Sequence, residues 1–454
     1  MHRLLLCAGS PYKARMLLTD AERDAAFDLV KAAHSEFIAR FPGDGGRRQP
    51  LHVVYGGMHL FSANTPDKLG QVARSMLSTY APNASALAEI FELESAHADE
   101  VFARVKHKLE TEPVEDYRID SEDGYGHRSD AEEDDHATRA GEEVARLLAT
   151  GKAPPFLGLR IKPLSAELAP RALRTLERFF LSLGTKTPAG FLVTLPKVTD
   201  RRQVQAIVGV LDAVERKFSL PPLTLRLEVM IESAPGIFDA EGTLTLPTLV
   251  EAGRGRLFAA HLGAYDYTAS MDVAAPMQRL DHPACDHLRQ LMKTSFAGTG
   301  VFLSDGATTR LPIAPHKGEG LSESQRAENA TVVHDAWKAH ATNITRALDQ
   351  GFFQGWDLHP GQLVPRYVAS FAFFLANRAA MTKRLSNFVT QLGQATAVGT
   401  SFDDAATGQG LLNFFLRGWS CGAFTRAEVE ATGLSVDELR TRDFGAIVRA
   451  RRGA

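Results

Sequence analysis

Short runs of β-branched and aromatic residues alternate along the chain with longer amphipathic stretches. Each run ends in a polar or glycine-rich tip, and each amphipathic stretch repeats its apolar positions with the spacing of a helix. Strands that alternate with helices in one long series form parallel sheets. Eight such units are typical of a closed barrel, so the pattern predicts an α/β fold of the (β/α)8 TIM-barrel class. The predicted strands are 51–57, 117–121, 156–162, 190–196, 225–233, 256–263, 301–304 and 353–358.

The two ends of the chain depart from this alternation. The first fifty residues are polar and carry a helical pattern over 18–41, and the sequence from about 395 is helical, punctuated by glycine and without a further β-rich run. The pattern therefore predicts three parts. These are a helical N-terminal extension over 1–50, a catalytic barrel over 51–394 and a helical C-terminal extension over 395–454.

Composition narrows the class of protein. The 454 residues are 44% apolar and carry a formal net charge of −3, which suits a barrel-sized core and lacks the basic excess of nucleic-acid-binding proteins. Cys7, Cys285 and Cys421 are isolated, so neither a disulfide framework nor a cysteine zinc site is predicted. The apolar run near the N-terminus is too short for a membrane span or a signal peptide. We expect a cytoplasmic protein without nucleic-acid or membrane partners.

Charged residues are concentrated at the ends of the predicted strands, where TIM barrels carry their active sites. Glu232 ends the fifth strand and Asp266 follows the sixth, so neighbouring parallel strands bring the two carboxylates together. Hard cations such as Mg²⁺ take one or two carboxylates, and waters and substrate oxygens complete their coordination. The pair therefore predicts a site for Mg²⁺ or Mn²⁺, although either acid alone suits a helix start. Glu228 is expected to be a buried structural acid, paired with Arg226 or with a cation of a neighbouring strand.

Cationic residues lie at the neighbouring tips. Arg160 stands in an otherwise apolar strand, and its guanidinium suits the carboxylate of a substrate. The alternative is an ion pair with the acidic residues of the preceding tip, 120–123. Lys162 and Lys197 add positive charge for substrate binding, unless each extends into solvent. Acidic and basic groups that alternate around one rim favour a divalent cation facing an anionic substrate.

Six segments in this order resemble the HpcH/HpaI aldolase and citrate lyase β-subunit family: "DSEDG" (120–124), "LRIKP" (159–163), "LPKV" (195–198), "MIES" (230–233), "GAYDYTAS" (263–270) and "GWDLHPGQ" (355–362). The chain looks like a larger, divergent branch of this family. The resemblance implies a metal-dependent (β/α)8 enzyme that makes or breaks carbon–carbon bonds next to a carbonyl. By position, the family's metal ligands fall on Glu232 and Asp266, its substrate-clamping arginine falls on Arg160, and its acidic motif falls on 120–123. Relatives are commonly trimers or hexamers, so a homo-oligomer is expected.

The reaction that the resemblance implies is a carbon–carbon lyase or aldolase reaction on a small 2-oxo or hydroxy acid, through a metal-stabilised enolate. Arg160 would offset the negative charge that develops on the substrate. His127, which follows the acidic tip, is the favoured base, and Asp123 lies in the motif beside the metal. The alternative bases are a metal-bound water, His59, His261 and His359.

Three other functions remain open. A phosphoenolpyruvate-binding or phosphotransfer enzyme would use the same charged set, but the chain has neither a P-loop nor a kinase glycine-rich signature. A citryl- or malyl-CoA-type thioester lyase would need a basic, adenine-accepting surface, for which no sequence signal is found. A non-catalytic barrel is disfavoured because Arg160, Glu232 and Asp266 occur together.

Overall fold

Eight parallel strands close into a barrel in chain order in the computed structural model, which describes residues 17–390, 396–398, 401–403 and 405–452. Each strand pairs in parallel with its successor and the last pairs with the first, so the predicted TIM barrel is confirmed. Each predicted run contains or overlaps one strand. The strands are β1 His52–Gly57, β2 Asp116–Asp120, β3 Phe156–Arg160, β4 Phe191–Leu195, β5 Leu225–Ile231, β6 Leu257–Leu262, β7 Phe302–Ala307 and β8 Gln354–Asp357.

Helices connect the strands and surround the barrel, and several begin at residues that cap them. Before the helix at 130–149, the hydroxyl of Ser129 accepts a hydrogen bond from the backbone of Glu132, whose side chain accepts one from the backbone of Ser129. The helices are α1 Asp20–Arg40, α2 Thr65–Tyr80, α3 Ala84–Phe91, α4 Ser95–Thr111, α5 Asp130–Ala149, α6 Ala169–Leu183, α7 Arg201–Lys217, α8 Leu246–Ala252, α9 Ala264–Ala269, α10 Pro283–Phe296, α11 Glu323–Asp349, α12 Leu363–Thr390, α13 Ala405–Ser420, α14 Arg426–Glu430, α15 Val436–Thr441 and α16 Phe444–Arg452.

The C-terminal extension buries its apolar residues against its own chain. Phe414 of α13 contacts the rings of Phe373 and Phe374 in α12, and Phe415 is fully buried. One part of the prediction for this region is wrong, because β9 Thr396–Val398 and β10 Ser401–Asp403 form an antiparallel pair. Runs of three residues on either side of a two-residue Gly-Thr segment are enough for such a pair but too short to stand out as strands.

Helix α1 makes few contacts with the barrel. None of its residues is buried, and Phe27, Leu29, Val30 and Phe37 are more than half exposed. Helix α1 is the N-terminal helix that the sequence predicts. Residues 1–16 lie outside the described part of the chain. The division at residues 50 and 394 stays a prediction. Of the helices that the structure describes, none combines the length and apolar character needed to cross a lipid bilayer.

Candidate active site

Charged side chains from successive strand ends meet at the C-terminal face of the barrel, and we call this group the acidic mouth. Parallel strands end at the same edge of a sheet, so short loops after β2, β4, β5 and β6 bring their first residues close together. Among the acids of the mouth, Asp266 and Glu122 act electrostatically on Glu232. The members of the acidic mouth are Asp120, Glu122, Asp123, Arg160, Lys197, Glu232 and Asp266.

Glu232 directly follows β5 and is only 3% exposed. Its Oε1 accepts a hydrogen bond from the backbone N–H of Lys197 at 2.7 Å. Gly263 lies against this side chain, since a Cβ at that position would lie 2.5 Å from the Cβ of Glu232. Burial raises the pKa of Glu232 to about 8, and the charges of Asp266 and Glu122 act in the same direction. The mouth also contains five acidic residues and two cations, so its own cations cannot pair with every acid.

Lys197 lies between the acids of the mouth. Its Nζ donates to Glu122 Oε1 at 2.6 Å and lies 3.4 Å from Asp123 Oδ2 and 3.5 Å from Asp266 Oδ2. Its backbone adopts a left-handed conformation with φ 50°, a strained geometry for a residue with a side chain. Burial opposes the charge of the ammonium, but Glu122 and the other acids outweigh this and raise the pKa of Lys197. Lys197 is thus the nearest cation to both predicted metal ligands.

Arg160 ends β3 and pairs with the acids of the preceding strand end, which is the alternative to substrate binding that the sequence left open. Its Nε donates to Asp120 Oδ1 at 2.7 Å, and its Nη2 pairs with the other oxygen of the same carboxylate. Nη1 lies 3.0 Å from Glu122 Oε2, an oxygen that is buried without a hydrogen-bond partner among the described residues. The rings of Tyr55 and Trp356 lie against the guanidinium, with centroids 4.8 and 5.4 Å away. Asp120 therefore occupies the fork of Arg160, and Nη1 faces the second acid, Glu122.

A layer of buried charge fills the barrel interior, centred on Arg118 of β2. Its Nη2 lies 2.7 Å from Glu228 Oε2, and its Nη1 pairs with Asp116. Glu228 also accepts hydrogen bonds from Thr194 at 2.7 Å and from the hydroxyl of Tyr55 at 3.0 Å. Because the ring of Tyr55 touches Arg160, this layer supports the mouth from within the barrel.

Glu228 is a buried acid paired with cations, as expected, but one of its predicted partners is wrong. His261 of the neighbouring strand β6 places Nε2 2.8 Å from Glu228 Oε2, while Arg226 instead donates to the carbonyl of Gly255. Arg226 lies at the start of β5 and is only half-buried, and its guanidinium turns away from Glu228 to the loop before β6. The sequence reasoning also missed Arg118. Its signal was present, because Asp116, Arg118 and Asp120 alternate along β2 and so share one face.

Two predicted site residues lie apart from the mouth. Lys162 Nζ donates to the carbonyl of Ser121 at 2.8 Å and pairs with Glu133 of α5 at 2.8 Å. The prediction that Lys162 binds substrate at the mouth is therefore corrected. Lys162 follows the end of β3, and its side chain turns to the buried Glu133 of the adjacent helix α5. His127 is exposed on the loop after β2 and, within the described part of the chain, forms no hydrogen bond or ion pair.

The alternative histidines serve other contacts. His261 belongs to the interior layer, and His359 accepts a hydrogen bond from the backbone of Gly361 at 3.0 Å. His59 lies against the ring of Tyr125, beside the mouth. None of the three is in contact with the predicted metal ligands among the residues that the structure describes.

The donor chemistry of the mouth fits a hard divalent cation. Glu232 and Asp266 offer carboxylate oxygens, and the acids of the mouth outnumber its cations Arg160 and Lys197. Over residues 17–390 and the described part of the tail, no three His, Cys, Asp or Glu side chains are grouped closely enough to hold a metal. A bound ion would therefore take its further ligands from water or substrate, as Mg²⁺ commonly does.

The fold and the mouth define a (β/α)8-barrel protein with its charged groups at the C-terminal face, where enzymes of this fold carry their chemistry. The chain belongs to the family described as a domain of unknown function, DUF6986, whose sequence profile matches residues 30–447. No curated protein matches the sequence.

Among solved structures, a citrate lyase from Burkholderia xenovorans LB400 superposes with a TM-score of 0.56 at 16% identity, over 86% of this chain and 97% of that one. The CitE protein of Mycobacterium tuberculosis, in complex with magnesium, acetoacetate and coenzyme A, gives a TM-score of 0.46 at 15% identity, over 83% and 99%. A Haloferax volcanii malate synthase gives a TM-score of 0.44 at 16% identity, over 76% of this chain and 87% of that one. At these identities the likeness to the first establishes a shared fold, and the other two superpose too loosely to support an argument.

Proposed function

We propose that the protein is a divalent-metal-dependent carbon–carbon lyase of the aldolase type, acting on a small free 2-oxo or hydroxy acid. The observation that carries this proposal is the buried carboxyl group of Glu232, which accepts a backbone hydrogen bond, forms no ion pair among the described residues and lies beside Asp266 at the C-terminal face of a barrel. The six motifs that resemble the HpcH/HpaI and citrate lyase β-subunit family support the same reading, and membership of that superfamily is part of the proposal.

Glu232 and Asp266 would hold Mg²⁺ or Mn²⁺. When bound, such an ion stabilises the negative charge that develops on the carbonyl oxygen of the substrate during cleavage. The buried position of Glu232 supports this role, because a carboxylate in a site of low dielectric interacts more strongly with a cation than one in water does.

The cations of the mouth would bind and orient the carboxylate of the substrate. Lys197 Nζ is a point charge that contacts three acids, and Arg160 Nη1 faces Glu122, whose place beside the guanidinium a substrate carboxylate would take. The order imposed on Arg160 by Asp120, Tyr55 and Trp356 reduces the entropy lost on binding.

A base must remove the proton from the substrate hydroxyl before the carbon–carbon bond breaks. We assign this role to Asp123, which is 61% exposed and lies 3.4 Å from Lys197, with His127 on the same loop as the alternative. The electron pair of the broken bond would pass to the fragment that carries the 2-oxo group, and this enolate would then be protonated. A cytoplasmic homotrimer or hexamer is retained as part of the proposal on the strength of the family resemblance.

The test is calorimetric titration of Mg²⁺ into the wild type, Glu232→Gln and Asp266→Asn, followed by oxalate as a mimic of the enolate. Each substitution keeps the shape of the side chain and removes its charge, so Mg²⁺ affinity should fall about tenfold or more. Glu241→Gln, on an exposed loop after β5, is the matched control and should bind Mg²⁺ as the wild type does. Pyruvate release from 4-hydroxy-2-oxo acids, with and without a chelator, then measures the reaction.

Two results would contradict the proposal at different steps. Equal Mg²⁺ binding by all four proteins would show that the metal site lies elsewhere. In the second result, metal binding depends on Glu232 and Asp266, but the protein neither binds oxalate nor cleaves any tested 2-oxo acid. That result would support the metal site and refute the lyase activity.

A further inference from the structure

A second cavity lies at the opposite end of the barrel, beside the N-terminal ends of β7 and β8. Its volume is about 710 Å³, within the range of small-molecule sites. Four parts of the chain build most of its walls: the segment 41–45 between α1 and β1, α10 from Lys293 with the loop after it, the barrel end around Phe302 and Phe353, and the C-terminal extension through α13 and residues 441–443. The cavity therefore exists because both extensions fold against the bottom of the barrel.

Arg417 of α13 is the main charged group of this cavity. Its side chain is 10% exposed, and its guanidinium lies over the rings of Phe302 and Phe353, at 5.3 and 5.7 Å from their centroids. Nη2 donates to Asp44 Oδ2 at 2.9 Å. Nη1 is buried and has no hydrogen-bond partner among the described residues. A buried guanidinium N–H without an acceptor is costly, so Arg417 has hydrogen-bonding capacity that its protein neighbours do not use.

Two further cations line the same cavity. Lys293 of α10 donates to the carbonyl of Gly351 at 3.0 Å, which leaves two of its three ammonium hydrogens for other acceptors. Arg442 pairs with Asp44 and donates to Asn413 Oδ1 at 2.7 Å. Burial lowers the pKa of Lys293, and the charges of Arg417 and Arg442 lower it further, so the three cations act on one another.

The acids of the lining do not balance these cations. Asp44 is buried and accepts from both Arg417 and Arg442, so one carboxylate serves two guanidinium groups. Asp443 is 56% exposed and pairs with Arg449, which lies outside the cavity lining. Burial lowers the pKa of Arg417 to about 10, despite the attraction of Asp44. The inner part of the cavity is therefore an electropositive site.

We propose that this cavity binds a small phosphorylated organic molecule, with Arg417, Lys293 and Arg442 as the ligands of its phosphate group. A phosphate presents three terminal oxygens and close to two negative charges, which matches three cations arriving from α10, α13 and the turn before α16. The apolar side chains of Ile38, Phe41 and Phe296 line the rest of the cavity and suit an organic portion. Because the site joins both extensions to the barrel, the ligand would stabilise their attachment, at the end opposite the acidic mouth.

The experiment uses the full chain with inorganic phosphate and AMP as probes, measured by calorimetry and by thermal unfolding, with chloride at matched ionic strength. We expect saturable binding of both probes, tighter for AMP, and an increase in Tm that chloride does not produce. Lys293→Met and Arg417→Met should each weaken binding about tenfold or more, the range expected for a charge-assisted contact. Arg201→Met, an exposed arginine at the start of α7, is the control and should leave binding unchanged.

The Asp44→Asn variant distinguishes a ligand-binding role of Arg417 from a purely structural ion pair with Asp44. It removes the carboxylate that competes with the ligand, so AMP should bind several-fold more tightly even if the fold is weakened. This variant also covers the case in which Arg417→Met fails to fold. The proposal is overturned if the wild type shows no saturable binding, if chloride raises Tm equally, or if Lys293→Met and Asp44→Asn leave the affinity unchanged. Equal affinities for phosphate and AMP would refute the proposal that the ligand has an organic portion.

Discussion

Replacing Arg118 with methionine should destabilise the protein by about 3–5 kcal/mol at pH 7, the cost of breaking a buried ion pair on one side. Methionine keeps much of the side-chain volume but removes the charge that Asp116 and Glu228 share. All three side chains are at most 1% exposed, so water cannot take the place of the guanidinium. Glu228 would keep its contacts with Thr194 and Tyr55, whereas Asp116 would lose the hydrogen bonds from Arg118.

The pH dependence of this loss follows from Asp116. Burial already raises the pKa of Asp116 in the wild type, and without Arg118 the carboxyl would fold in its protonated form. Holding it neutral at pH 7, against an unfolded value of about 3.9, costs about 4 kcal/mol at about 1.36 kcal/mol per pH unit, but the wild type, in which the pKa of Asp116 is raised to about 6, already bears about 3 kcal/mol of this cost. Asp116 therefore contributes about 1 kcal/mol of the loss at pH 7, and the rest comes from Glu228. A carboxyl whose pKa rises on folding destabilises the protein more as the pH rises. At pH 5 Asp116 is largely protonated in both proteins, so its contribution to the loss should be close to zero.

Urea unfolding at pH 7 and at pH 5 measures both quantities. Asp116→Asn combined with Arg118→Met should recover much of the loss at pH 7, because asparagine has no carboxyl group that must take up a proton on folding. Arg201→Met, at an exposed position, should change the free energy of unfolding by less than about 0.5 kcal/mol. A loss below about 1 kcal/mol for Arg118→Met, or an equal loss at both pH values, would show that Arg118 does not neutralise these acids.

Two further predictions concern other parts of the chain. Gly263→Ala should weaken Mg²⁺ binding in calorimetry, because the new Cβ would lie 2.5 Å from that of Glu232 and displace its carboxylate, and unchanged affinity would refute this. Burial raises the pKa of Glu428, but the hydrogen bonds from Arg104 and the α14 cap outweigh it and lower the pKa to about 2. This carboxylate therefore stabilises the fold above pH 5 and loses that effect as the pH falls towards 2. Glu428→Gln should lower stability by about 1–2 kcal/mol at pH 7, allowing for solvent screening, and the difference in Tm from the wild type should disappear near pH 2–3. Glu430→Gln, at an exposed neighbouring position, should show neither effect.

The barrel could be predicted because its signal is local and repeated. Each unit contains a β-rich run and an amphipathic helix that bury their apolar faces against each other, and this requirement is visible within about forty residues of sequence. The proximity of Glu232 and Asp266 to the same mouth was predictable for a related reason, because neighbouring parallel strands end at one edge. The same reasoning identified Lys197 as a rim residue and Asp120 as an alternative partner for Arg160.

The contacts that no local signal reports were decided by the closure of the barrel and the packing of its helices. Arg118 and Glu228 are 110 positions apart and meet only because a closed barrel directs alternate residues of every strand into one interior. Lys162 lies just after the end of β3 in the sequence, where rim residues occur. Helix α5 nevertheless places the buried carboxylate of Glu133 within ion-pair distance of its ammonium group.

The cavity beneath the barrel depends on tertiary structure even more. Its cations come from α10, α13 and the turn before α16, and nothing in the sequence places these elements beneath the barrel. The sequence by itself thus determined the strands, their order and the residues at their tips, since these follow from periodicity and chain direction. Which charges neutralise one another was decided by the three-dimensional structure, because electrostatic partners are selected by distance and burial and not by position along the chain.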